Sequence, residues 1–208
     1  MKKSVVQMTR GLWLALALLL VGCASQRPAE AYKVYDFGPA PLQTPAAASQ
    51  HALATLVLYE PQVSPALEGI ALLYRLAYAD AQQLKPYALT RWSMPPAQLI
   101  SQRLRQHLGV QRAVVAPGEA AAQFNVRWVL EEFSQVFDSP TESYALLRLR
   151  ATLTQRNGGN ETLLAQRSFV VQQVASTPDA QGAVRALTQA SDRAAEQLAA
   201  WLTQWGRL

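Results

Sequence analysis

The sequence predicts an α+β domain, a mostly antiparallel sheet with two main helices packed on one face. Three observations lead there. The stretch YALLRLRATLTQR (144–156) alternates apolar and polar residues with period two, the mark of a strand with one face in a core. NGGN (157–160) then makes a tight turn into a second β-favouring run. From Thr177 onward the apolar residues instead recur at spacings of three and four, which is a helix with one buried stripe. Strand runs covered by helices, without regular strand–helix alternation, make the class α+β.

The elements follow in order. YKVYDFG (32–38), with Tyr32, Val34, Tyr35 and Phe37, reads as a short strand joining the domain. LATLVLYEP (53–61) is a nearly continuous strand run closed by Pro61. GIALLYRLAYA (69–79) and QLKPYALTRW (83–92) form a hairpin about the polar DAQQ at 80–83. Pro86 belongs at an edge or a bend, because it has no N–H to give to a ladder. SMPPAQLISQRLRQHLG (93–109) is a helix with Ser93 as cap, Pro95 and Pro96 in the first turn and Gly109 at the end. Leu99, Ile100, Leu104 and Leu108 give it one apolar stripe.

FNVRWVLEEFSQVF (124–137) places Phe124, Val126, Trp128 and Leu130 on one face, and the phase then moves to Phe133 and Phe137. A slip of one residue swaps faces, so a bulge is expected near Glu131 and Glu132. SPTES (139–143) is a turn. In the next strand Ala145, Leu147, Leu149, Ala151 and Leu153 point inward, and Arg148, Arg150, Thr152 and Thr154 outward. ETLLAQRSFVVQQV (161–174) follows. Thr177 caps the closing helix and Pro178 begins it; Val184, Leu187, Ala194, Leu198, Trp201, Leu202 and Trp205 form its stripe.

Ahead of all this stand Lys2, Lys3 and Arg10, an apolar stretch from Leu12 to Val21, and the small residues Gly22, Cys23, Ala24 and Ser25. That is the layout of a secretory signal peptide, and its apolar core is far shorter than the roughly 20 residues of a membrane-spanning helix. LVGC (20–23) resembles the bacterial lipoprotein lipobox, in which the thiolate takes a diacylglyceryl group, the preceding peptide is cut away, and the new amine is acylated. On this reading residues 1–22 are a lipoprotein signal peptide and Cys23, the only cysteine, is a lipidated anchor. Residues 23–50, rich in Ala, Pro, Ser and Gln, are a tether carrying one short strand. Ala24 stands where Asp would mark inner-membrane retention, which by resemblance favours the outer membrane, facing the periplasm.

Of the 19 Lys and Arg, Lys2, Lys3 and Arg10 leave with the signal, so 16 face 14 Asp and Glu. The basic excess is therefore largely a targeting feature and does not imply nucleic acid. With no second cysteine for a disulfide, the fold must stand on packing.

The residues that could carry chemistry are sparse. His51 lies in the linker and His107 ends a helix; neither has neighbours at metal-ligand spacing. No nucleophile elbow, phosphate-binding loop or dinucleotide fingerprint occurs, so no catalytic, metal or cofactor residue is assigned. Glu131 and Glu132 are adjacent, which on a regular strand sends them to opposite faces. Arg148 and Arg150 are a solvated strand face or a contact for anionic lipid or a partner. Trp201 and Trp205 are core and rim packing or a lipid-contacting pair.

YDFGP (35–39), LLYRLAYAD (72–80), YALTRWSMPPAQLISQRLRQHL (87–108) and AAEQLAAWL (194–202), in that order, resemble the ABC-type transport auxiliary lipoprotein component family, which includes the lipoprotein of the paraquat-inducible Pqi system. The resemblance makes residues 51–208 the family domain. It implies a non-enzymatic, lipid-anchored part of a phospholipid transport machine, working beside an ATPase, a permease and an MCE-domain substrate-binding protein at the outer membrane. No cofactor is implied, and homo-oligomerisation stays open. A structural assembly lipoprotein of another outer-membrane complex is the alternative.

Overall fold

Residues that alternate for long stretches should make long strands, and two of the three longest strands, over 124–137 and 143–157, fall on the alternating stretches. In this computed structural model, which describes residues 31–39 and 53–205, the chain runs β1 (Lys33–Tyr35), β2 (Leu56–Leu58), β3 (Gln62–Val63), β4 (Ala71–Leu76), one helical turn α1 (Ala77–Asp80), and β5 (Ala81–Trp92). It continues through α2 (Pro96–Gly109), β6 (Val114–Val115), β7 (Phe124–Phe137), β8 (Ser143–Asn157), β9 (Asn160–Val174) and α3 (Ala180–Leu202). The expected signal peptide, Cys23, His51 and most of the expected tether lie outside the described residues.

The nine strands of the described residues form one sheet. Its spine is the antiparallel meander β7–β8–β9. Along the other edge of β7 the short strands β2, β3 and β4 are laid end to end, each parallel to it. From there β2 carries β6 in parallel, while β4 pairs antiparallel with β5, whose end takes β1 in parallel. The sheet is therefore mostly antiparallel, as expected, in its long pairings, and mixed through five short parallel ones. Pairings between segments tens of residues apart leave no mark on local periodicity, so the sequence gives no sign of the short parallel ones.

The same pairing explains why 53–61 reads as one strand but forms only a three-residue one. Leu56, Val57 and Leu58 are all buried, since β2 sits between β6 and β7. The chain then breaks and resumes at β3 farther along β7. Pro86 faces Leu73 beside a register shift in the β4–β5 pair, the bend expected of it.

The bulge is where the phase change puts it. Leu130 pairs with Leu149 and Glu132 with Arg148, leaving Glu131 as the extra residue. Even-numbered residues face the core before it (Val126, Trp128, Leu130) and odd ones after (Phe133, Phe137). In β8, Ala145, Leu147, Leu149 and Ala151 are wholly buried and Leu153 nearly so. Thr154, expected outward, is buried instead, because a second register shift falls between Leu153 and Thr154 and its hydroxyl bonds Glu161. Gly158 occupies the positive-φ position of the β8–β9 turn, at 63°.

On the inner face α3 packs across β7, β8 and β9 and against α2. Val184, Leu187, Ala194, Leu198, Trp201 and Leu202 are buried as the stripe predicts, with Trp205 half-buried beyond the helix end. Burying a large apolar side chain contributes about 1.5–3 kcal/mol, so this stripe is a main source of stability. Both expected caps move. Asp179, not Thr177, caps α3 by accepting from the Gly182 N–H at 2.7 Å, while Thr177 donates its hydroxyl to Asp179. In α2 the first residue is Pro96, whose missing N–H costs nothing there, and Ser93 donates its N–H to the Tyr35 carbonyl.

Candidate functional site

The residues singled out by sequence do not converge. Glu131, the bulge residue, lies 3.6 Å from Arg150, and Glu132 pairs with Arg75 at 3.0 Å. The two carboxylates thus hold different cations and face no common substrate position. Arg148 and Arg150 are exposed on the open face of the sheet. Trp201 is 6% exposed and meets Phe169 edge-on, with ring centres 5.8 Å apart, so it is core. His107 is half-buried, its Nε2 3.9 Å from Asp192. Among the described residues no cluster of three His, Cys, Asp or Glu could hold a metal.

Two polar clusters went unseen in the sequence. The first surrounds Glu161 at the start of β9. It accepts from both arms of Arg127, from the Asn125 amide and from the Thr154 hydroxyl. Those bonds, led by Arg127, hold its carboxyl down at about 2. Arg127 also lies over the Tyr59 ring, 4.3 Å from its centre, so the cluster ties β7 and β9 to the loop after β2.

The second lies between the helices. Arg103 of α2, only 3% exposed, sends Nη2 to the Phe37 carbonyl at 2.8 Å. Its Nε is 3.0 Å from Asp192 Oδ1 of α3, an ion-pair contact whose angle falls short of a hydrogen bond. Nη1 has no hydrogen-bond partner among the described residues. Burial raises the Asp192 carboxyl above its ordinary value, although Arg103 and His107 pull the other way. One guanidinium therefore links α2, α3 and the segment after β1.

Phe37 is the apolar half of that link. Its ring stands edge-on to Trp92 at 5.5 Å and tilted against Phe133 at 6.2 Å, anchoring the N-terminal segment in the core. The next residues turn sharply, with Gly38 at φ 65° and its N–H given to Asp36 Oδ1. This turn separates two hollows. One is a cleft of about 550 Å³ between residues 34–38 and the α3 residues 184–189. The other, about 100 Å³, runs between the turn and α2, with Ser93, Gln102, Arg103 and Gln106 in its wall. Both hollows thus lie where β1 enters the domain, while a third, of about 310 Å³, lies apart from them beside Tyr59, Pro117, Asn125 and Arg156.

Comparison with known proteins bears on the whole domain. The sequence profile of the ABC-type transport auxiliary lipoprotein component family matches residues 35–199. No curated protein matches the chain. The fold is similar to a crystal structure of a Xanthomonas campestris protein of family DUF330, with TM-score 0.69 at 17% identity, covering 81% of this chain and 93% of that one. It is also similar to the crystal structure of an uncharacterized protein, with TM-score 0.63 at 15% identity, covering 83% and 99%. At such identities the two structures speak for the fold alone, whereas the profile spans the strand, cleft and helices just described. The chain belongs to the family of ABC-type transport auxiliary lipoprotein components.

Proposed function

We propose that this chain is a non-catalytic, lipid-anchored component of an ABC-type phospholipid transport system, which docks or places a periplasmic MCE-domain protein at the outer membrane. The observation that carries the reading is the family match over 35–199, preceded at Cys23 by a lipobox. An ATPase and a permease in the same system supply the energy and the membrane path. This chain contributes binding and position.

The anchor is the first part to test. A single acyl chain holds a protein only reversibly, so stable attachment needs several chains. Cys23 acylated on sulfur and on its new amine supplies them. Replacing Cys23 by Ser should leave an unprocessed precursor that labelled palmitate does not mark. Processing after Gly22 with acylation in that variant would overturn the anchor. Co-purification of the acylated chain with an MCE-domain protein supports the transport role. Co-purification with a different outer-membrane complex instead would favour the assembly alternative.

A further inference from the structure

We propose that the two hollows flanking the Asp36–Gly38 turn form one binding site for an acidic amphiphile, with its carboxylate or phosphate head on Arg103 and its tail in the cleft beside α3. The site goes beyond the docking role, because a domain that only positions a partner needs no ligand of its own.

The head position follows from Arg103. The side chain is almost wholly buried, yet Nη1 meets no acceptor among the described residues. A buried donor left without a partner is costly, and a guanidinium is strongest with a charged acceptor. Arg103 lines the smaller hollow, where the amide side chains of Gln102 and Gln106 and the Ser93 hydroxyl supply further polar groups. Asp36 is the one carboxylate in that wall, and one of its oxygens already accepts from Gly38.

The tail position follows from the larger cleft. Its volume of about 550 Å³ lies within the roughly 300–1,000 Å³ of ligand pockets. Val34, Phe37, Val184 and the methyl-bearing Thr188 give it apolar walls. Arg185 closes one side, its guanidinium held by Ser176 and Thr177. Asp36, Phe37, Gly38 and Ser93 border both hollows, so one molecule of moderate length can reach from one to the other.

The test uses the full chain in lipid nanodiscs doped with a twelve-carbon carboxylic acid bearing a photoreactive diazirine near its tail. Labelled residues are mapped by mass spectrometry. Labelling should fall on residues 34–38 and 184–189. A cationic amine with the same chain should label them at least about tenfold less, the scale of a charge-assisted hydrogen bond. Thr188→Trp, which fills the cleft and leaves the Arg103 contacts intact, should abolish labelling there. Arg103→Gln should bring acid and amine together; if that variant does not fold, the acid–amine ratio on the native chain decides. A phosphate-headed probe of the same length should behave as the acid does, and excess inorganic phosphate should not displace either. Displacement by phosphate alone would reduce the site to one for a free anion and contradict the amphiphile. Equal labelling by acid and amine would remove Arg103 from the site. Absence of labelling in the cleft would overturn the proposal.

Discussion

Arg103 and Arg105 stand two apart in the same helix, and nothing in the string QRLRQ separates them. In the fold Arg103 is buried between α2, α3 and Phe37, while Arg105 reaches Leu58 and the exposed Glu60. That difference depends on which way α2 is turned against α3, which no local pattern encodes. Gly182 is a second residue whose meaning only the fold discloses. Helix propensity says that Ala at this position should stabilise by about 1 kcal/mol. A Cβ there, however, would lie 1.9 Å from the Thr177 carbonyl oxygen, a backbone atom that cannot yield. Gly182→Ala should therefore destabilise by about 1–3 kcal/mol or more, seen as a lower midpoint in thermal or urea unfolding. A midpoint at or above the parent's would contradict the packing described. Glu161 gives a test in pH. Its carboxyl is held at about 2, below its ordinary 4.5. The folded state then binds fewer protons than the unfolded one, so its stabilisation is present above pH 4.5 and lost as pH falls towards 2. Glu161→Gln should lower stability at neutral pH and flatten the acid limb of a stability–pH curve; an unaltered acid limb would show that the cluster contributes little.

At the scale of elements, what could be read from sequence was whatever a strand or helix records in its own periodicity. The one-residue phase change at Glu131 announced the bulge because every later side chain in β7 depends on it. The stripes of α2 and α3, and the glycines of the β8–β9 turn, were equally local. Caps were harder, because Thr177 and Asp179 are both good capping residues two positions apart and the choice depends on where α3 meets the sheet. Parallel pairing was not legible, since β2, β3 and β4 each find β7 across an intervening stretch of chain. The stripe of α3 is the element on which the core leans most. Trp201, buried and edge-on to Phe169, should cost about 3–5 kcal/mol when cut to Ala. A drop of several degrees in melting temperature would fit that cost, whereas a parent-like melt would return Trp201 to the role of a surface contact.

At the scale of the molecule, the segment entering at β1 joins the proposed tether to the folded domain. Phe37 and Arg103 fix its position, and both hollows lie beside it. Only the family was legible, in the order of its segments; the cleft needed residues from three parts of the chain, and Cys23 as anchor remains a proposal. A tether adds effective concentration without adding contacts, making a weak encounter with a partner in the same envelope intramolecular. Among the described residues the sheet face that carries the exposed Arg148 and Arg150 is not covered by α2 or α3.

The central claim is that the chain works by binding an MCE-domain protein while held at the membrane. The most direct test titrates the full acylated chain in nanodiscs with the MCE-domain protein of the same transport system, and measures phospholipid transport in cells carrying Cys23→Ser. Saturable binding at micromolar concentrations or below, with transport lost when the anchor is removed, is the predicted result. No binding at concentrations well above micromolar, or transport unaffected by loss of the anchor, would contradict it.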